Sequence, residues 1–205
     1  MPSASGSSRS RRSARSSNDS AIQPADVRWV VLTHLHTDHA GGLHHFPDNE
    51  ILVTRTELEY ASGLRGRLRG YVANKHWPAG FRPTMLELEP EPLGPFPQSL
   101  RLTEAGDVTL VPVAGHTPGQ IGVLVDEGDH TVFLAGDSSY TQELMLRGTA
   151  DGVGADEQAE RLTHERIRAF AAETPTVYLV AHDPETGGRL NERRLVHPIP
   201  TEVAA

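Results

Sequence analysis

The sequence predicts an α/β sandwich built around one core. Short β-branched apolar runs succeed one another along most of the chain, with only a few helical stretches between them. That is the pattern of stacked sheets rather than of strict strand–helix alternation. Several of these runs end in a histidine or an aspartate, which gathers polar side chains at the rim of a sheet. With 205 residues, 37 % of them apolar, the chain is long enough for one domain with a substantial core and too short for two ordinary ones.

The elements follow in order. Residues 1–20 hold nine serines and four arginines (Arg9, Arg11, Arg12, Arg15). So little apolar surface cannot offset ordering entropy, and a disordered tail is expected. No apolar stretch follows the arginines, so the segment does not read as a secretory signal. It reads as an inert tail, as a stretch translated from the wrong frame or start, or as a basic arm for nucleic acid. The run VRWVVL at 27–32 predicts a buried strand that leads into a histidine-rich loop, with a helix opening over 40–43. Residues 51–53 form the next strand, and Thr54-Arg-Thr-Glu57 fits a capping box for a helix reaching about Ala61. Residues 63–98, rich in Gly, Pro and Arg, show no period and read as an irregular insertion carrying His76-Trp77. Further strands are expected over 99–102, 108–113, 120–125, 131–134 and 176–181. Ala159, Leu162, Ile167, Ala169 and Phe170 fall at roughly helical spacing and predict a helix over 156–173.

Composition removes several function classes. The absence of cysteine excludes a disulfide scaffold, a thiolate zinc finger, an iron–sulfur cluster and a cysteine nucleophile. No stretch approaches 18 consecutive apolar residues, so no membrane span is expected, and the cytoplasm is the expected location. The chain carries 19 basic and 27 acidic groups. Setting aside the four arginines and Asp19 of the first 20 residues leaves 15 and 26, a balance of −11 over residues 21–205. A body that acidic repels a phosphate backbone, and nucleic acid is not an expected partner. Nucleotide binding and serine hydrolysis lack their glycine-rich and nucleophile-elbow motifs.

The residues that carry chemistry begin with Thr33-His34-Leu35-His36-Thr37-Asp38-His39-Ala40-Gly41-Gly42. Three imidazoles and a carboxylate fall within six residues, directly after a buried strand. In an extended segment, side chains at i and i+2 share a side, so His34 and His36 can grip one ion together. As the chain turns into a helix, Asp38 and His39 are aimed at a second point nearby. Nitrogen and oxygen donors without sulfur suit zinc, and also iron, manganese or cobalt. One cluster cannot complete two sites. Three further donors stand at the ends of apolar runs: His116 after VPVAG, Asp137 after VFLAG and His182 after VYLVA.

On HLHTDH, GHTPG, the aspartate of AGDSSY and the histidine of VAHD, the chain resembles the metallo-β-lactamase superfamily from about residue 22 to about residue 190. The resemblance implies an αββα sandwich with two divalent metal ions, zinc foremost, in the cleft between its sheets. On that pattern His34, His36 and His116 hold the first ion, Asp38, His39 and His182 hold the second, and Asp137 bridges them. Without a cysteine the chain lacks the thiolate ligand of the commonest antibiotic-cleaving members. AGDSSY followed by a helix and then VAHDPET is similar to the N-acyl-homoserine lactonases, in which the tyrosine three residues after the bridging aspartate faces substrate; here that is Tyr140.

The implied activity is the opening of a small-molecule lactone or ester by a hydroxide held between the ions, with Tyr140 steadying the oxyanion and Asp38 relaying a proton to the leaving oxygen. A glyoxalase II-like thioesterase, another dinuclear esterase and an inactive metal-binding remnant stand as alternatives. The remaining histidines read as ordinary: His44 and His45 at the surface or behind the site, and His130, His164 and His197 solvated. His76-Trp77 reads as packing or as part of an acyl-chain pocket. Only 33 residues precede His34, fewer than the family's first half supplies, so the domain over 21–205 is expected to be incomplete on its N-terminal side, with an unpaired sheet edge.

Overall fold

The computed structural model describes residues 22–64, 66, 77 and 81–197. The expected tail at 1–20 and His76 lie outside the described residues. Three strands, β1 (Trp29–Val31), β2 (Glu50–Thr54) and β3 (Thr84–Leu86), form a parallel sheet in that order. Strands β4 (Leu100–Arg101), β5 (Val108–Pro112), β6 (Ile121–Asp126), β7 (Thr131–Leu134) and β8 (Thr176–Leu179) form a second sheet, also in sequential order. Short turns make its first pairs antiparallel. The link from β7 to β8 passes through two helices, α3 (Gln142–Arg147) and α4 (Glu157–Glu173), and that crossover makes the last pair parallel. Three more helices follow strands: α1 (Thr37–Ala40) after β1, α2 (Arg55–Ser62) after β2 and α5 (Thr186–Glu192) after β8.

Alternation along the strands defines the layers. In β2, Ile51 and Val53 pack with Ala40, Leu43 and Ala61 on the helical side, whereas Leu52 turns the other way to meet Leu110 and Ile121 of the larger sheet. In β5, Leu110 faces the smaller sheet while Val111 joins Met145, Ile167 and Phe170 from α3 and α4. The layers therefore run helix, sheet, sheet, helix, and the αββα sandwich is the observed fold. Its densest region is aromatic. Phe133 is fully buried, with Phe96 and Tyr178 edge-on at 6.0 and 5.9 Å between ring centres and Phe170 at 6.3 Å. Such pairs contribute beyond their buried area.

Differences from the sequence reading have local causes. The helix after the histidine loop starts at Thr37 rather than near Ala40, and Gly41–His45 winds as a 3-10 turn. β3 lies inside the segment read as irregular, because three residues paired to β2 leave too short a pattern to see. α3 and α5 are similarly short. The capping box at Thr54 forms by half: the Thr54 hydroxyl accepts from Glu57 N–H, but the Glu57 carboxylate turns inward to other donors. His130 and His164 are buried rather than solvated. His130 Nδ1 lies 2.6 Å from Asp129, and His164, on the inner face of α4, bonds the Ser138 carbonyl at 2.7 Å through Nε2. His197 is exposed, as expected. Among the described residues, no helix is long and apolar enough to cross a membrane.

The first turn of α4 sits directly on the loop that leads to His116. A Cβ at Gly115 (φ +143°) would lie 2.4 Å from Glu160 Cα, so only glycine permits that approach. Glu160 is 1 % exposed; its Oε1 accepts from Asp151 N–H at 2.9 Å, and its Oε2 has no hydrogen-bond partner. Burial pushes this carboxyl up to about 7. Above its usual value of 4.5 the unfolded chain gives up the proton while the folded protein keeps it, so rising pH erodes stability through this window and the loss is complete just above 7. Glu160→Gln keeps the acceptor for Asp151 and cannot ionise. Urea unfolding of the metal-free protein is expected to show it roughly 1–3 kcal/mol more stable than wild type at pH 8, with little advantage near pH 4.5.

Candidate metal centre

All seven residues singled out as ligands meet at one end of the sandwich. His34 and His36 stand on the turn from β1 into α1, and Asp38 and His39 within α1; His116 follows β5, Asp137 follows β7 and His182 follows β8. Asp137 lies among the histidines. Its Oδ2 is 3.1 Å from His182 Nε2, 3.5 Å from His116 Nε2 and 3.8 Å from His34 Nε2, and its Oδ1 is 3.2 Å from His39 Nε2. Asp38 Oδ2 lies 3.3 Å from His182 Nε2 and 3.6 Å from His39 Nε2. His116 Nε2 and His36 Nδ1 are 2.8 Å apart. Three sets of donor atoms are close enough to share an ion: His34/His36/His116, His34/His39/Asp137 and Asp38/His39/His182.

Burial grades across the centre. His34 is fully enclosed and Asp137 nearly so, His116 is buried, and Asp38 and His182 open to solvent. Burial, followed by the neighbouring imidazoles, pushes His34 well below its ordinary value, and the same causes bring His36 to about 4. Burial also lowers His116. These rings are therefore neutral at neutral pH, the form that donates a lone pair to a metal. His39 moves the opposite way: burial pulls it down, but the combined attraction of the nearby Asp137 and Asp38 carboxylates outweighs that and raises it. Burial alone would raise the Asp137 carboxyl, yet His39 and the other nearby histidines hold it below the usual range.

A divalent cation fits what these residues lack. The Nε2 atoms of His34 and His39 and the Oδ1 atom of Asp137 are buried without hydrogen-bond partners. Orphaned polar atoms carry a desolvation cost of roughly 1–3 kcal/mol each, and here they converge on one another. The donor set of nitrogen and carboxylate oxygen suits divalent ions such as zinc. Tyr140 borders the centre, with its ring 5.2 Å from that of His182 and partly exposed. Burial and the acidic residues Asp151, Asp137 and Asp38 raise its hydroxyl above 10, so it stays protonated at neutral pH.

The other histidine expectations resolve simply. His44 and His45 are exposed and stack on each other at 3.8 Å. Trp77 packs beside Phe81 against the core of the smaller sheet. Two residues that hold the site together escaped the sequence reading. Glu57, disguised as a capping residue, is one. Asp183 is the other: its Oδ2 accepts from Gln142 N–H at 3.0 Å and from buried Arg189 Nη2 at 2.7 Å, tying the loop after His182 to the segment after Tyr140. The only signal for Asp183 was its place beside His182.

Comparison with known proteins shows the family and the fold. A family model of the metallo-beta-lactamase superfamily matches residues 5–182. The chain is 38 % identical over 145 residues to a probable metallo-hydrolase of Mycobacterium bovis, covering 68 % of this chain and 44 % of that protein. It is 27 % identical over 168 residues to an N-acyl homoserine lactonase of Rhizobium radiobacter, covering 80 % of this chain and 61 % of that enzyme. The chain thus spans about half the length of these curated relatives. Among solved structures, an N-acyl homoserine lactone hydrolase with N-hexanoyl-L-homoserine at its catalytic metal centre superposes with a TM-score of 0.63 at 24 % identity, over 87 % of this chain and 63 % of that one. The shared fold, the family match and the convergence of histidines and aspartates at the sheet ends place this chain in the metallo-beta-lactamase superfamily.

Proposed function

We propose that this protein is a metal-dependent hydrolase that opens the ring of an N-acyl homoserine lactone-like substrate, with two divalent ions, zinc in the first instance, as its cofactor. The observation that carries the reading is the placement of Asp137 within 3.8 Å of four histidines drawn from three separate segments. The lactonases among its relatives and the half-exposed Tyr140 beside His182 support the substrate class. His34, His36 and His116 would hold one ion and Asp38, His39 and His182 the other, with Asp137 between them. Bound there, the metal supplies a nucleophile at neutral pH and stabilises negative charge on the carbonyl oxygen.

The chain's own groups do the remainder. The reaction adds one water to the ring ester: a bond forms from water oxygen to the carbonyl carbon, the ring C–O bond breaks, and a carboxylic acid and an alcohol result. Tyr140, held neutral, donates its hydroxyl hydrogen to the carbonyl oxygen as charge builds there. Asp38 Oδ2, at the open edge of the centre, takes the proton released by the attacking water and returns it to the departing ring oxygen.

Two measurements test this reading. Zinc-reconstituted protein should hold two ions per chain and release one proton per turnover from a lactone at constant pH. A glutathione thioester assayed in parallel should turn over more slowly; the reverse order would move the protein among thioesterases, and two bound ions with neither activity would leave only a metal-binding protein. Tyr140→Phe is expected to lower kcat/KM for the lactone roughly 10- to 100-fold with metal content unchanged. An unchanged rate removes Tyr140 from the mechanism. Asp137→Asn, which removes the charge shared by the four histidines, should lower the metal content below two ions at any zinc concentration that saturates wild type.

A further inference from the structure

Glu57 is a buried carboxylate outside the seven residues of the metal centre, and nothing in the proposed reaction uses it. It stands in the first turn of α2 with no exposed surface. Its Oε1 accepts from Leu35 N–H at 2.9 Å, its Oε2 accepts from the Thr117 hydroxyl at 2.6 Å, and the backbone N–H of Gly119 also donates to it. Leu35 lies between His34 and His36, and Thr117 follows His116. One carboxylate therefore joins the loop that carries two donors to the loop that carries the third, across the seam between the sheets. The junction is tightened from both sides. Thr54 donates its hydroxyl hydrogen to the Gly119 carbonyl at 2.7 Å, and a Cβ at Gly119 would lie 2.2 Å from Glu57 N.

A charge withdrawn from water is costly unless several donors compensate it. If Glu57 only filled space, an apolar side chain would do so at lower cost. Its three donors are instead backbone and hydroxyl groups of the segments that set the spacing of His34, His36 and His116. We infer that Glu57 is a positioning residue: it holds these three imidazoles at ligating separation before an ion arrives, and so governs affinity at that set more than at Asp38/His39/His182. The inference rests on the metal reading proposed above and adds which residue sets the strength of one of its two sites.

The test is zinc or cobalt titration of the metal-free protein against a chelator of known affinity, with the thermal midpoint of the metal-free form measured alongside. Glu57→Gln preserves size but places an NH2 group where a carboxylate oxygen accepted. Thr117→Val removes one donor while leaving Glu57 intact, and Thr117→Ser restores the hydroxyl. Loss of an outer partner of a ligand commonly weakens metal binding 10- to 100-fold. One of the two stepwise constants should weaken by that factor in Glu57→Gln and Thr117→Val, the other by less than about threefold, with Thr117→Ser near wild type. The cobalt absorption of the weakened site should change in parallel. Should Glu57→Gln fail to fold, the contrast between Thr117→Val and Thr117→Ser decides. Wild-type constants in both variants, even with a lowered thermal midpoint, overturn the inference and leave Glu57 a packing element. The proposed function fails by a different result: wild type binding no metal, or binding two ions without opening a lactone.

Discussion

The structure depends on how one carboxylate, Asp137, is accommodated among histidines. Three other strand ends at this rim deliver groups toward it: His34 and His39 from the segment after β1, His116 after β5 and His182 after β8. Packed so closely, imidazoles repel one another when charged, and burial already disfavours their charge. The response is uneven. His34, His36 and His116 are driven toward neutrality while His39 is drawn toward a proton by Asp137. Several buried donors remain without partners. A surrounding fold must be stiff to hold such a cluster, and the two sheets provide that stiffness through separate cores on either side of their shared interface.

The sheets are joined at the site as well as beneath it. The amide of Ile121 donates to the Thr33 carbonyl, linking the start of β6 to the residue before His34. Glu57 and Thr54 reach from the α2 end of the smaller sheet to the loop after His116. Asp183, backed by Arg189, binds the His182 loop to the start of α3. These three donor-bearing loops are thus fixed by hydrogen-bonded acids or hydroxyls that are not themselves aimed at the centre, which is how precise ligand geometry is built on otherwise mobile loops.

Much of this was legible in the chain and some was not, for physical reasons. His116, Asp137 and His182 could be found because a buried strand must end somewhere, and a polar residue at its end has few places to go except the sheet rim. The layers followed from strand patterning, since a strand covered on both faces reads as continuous apolar sequence. β3 escaped because three residues carry no period, and it gains its place by pairing with β2. Glu57 was misread because Thr-x-x-Glu states a local rule, whereas its buried partners lie 22 and 60 residues away. His164 was misread because polar residues surround it in sequence, while the helix turns it inward to the Ser138 carbonyl. Local patterns reveal where a side chain begins; only tertiary contact decides where it ends.

The wide spacing of the histidine- and aspartate-bearing segments has a consequence for the birth of the molecule. Position 34 and position 182 are separated by most of the chain, and His182 is made only after all eight described strands. As synthesis proceeds from the amino end, a nascent chain that has passed Asp137 already holds most of the donors, yet the crossover through α3 and α4 and the closing strand β8 are still to come. Loop closure over such distances is slow, because entropy is lost before any contact rewards it. On the proposed reading, an ion captured early would have only a partial grip, and a lasting hold would wait for the final strand to dock.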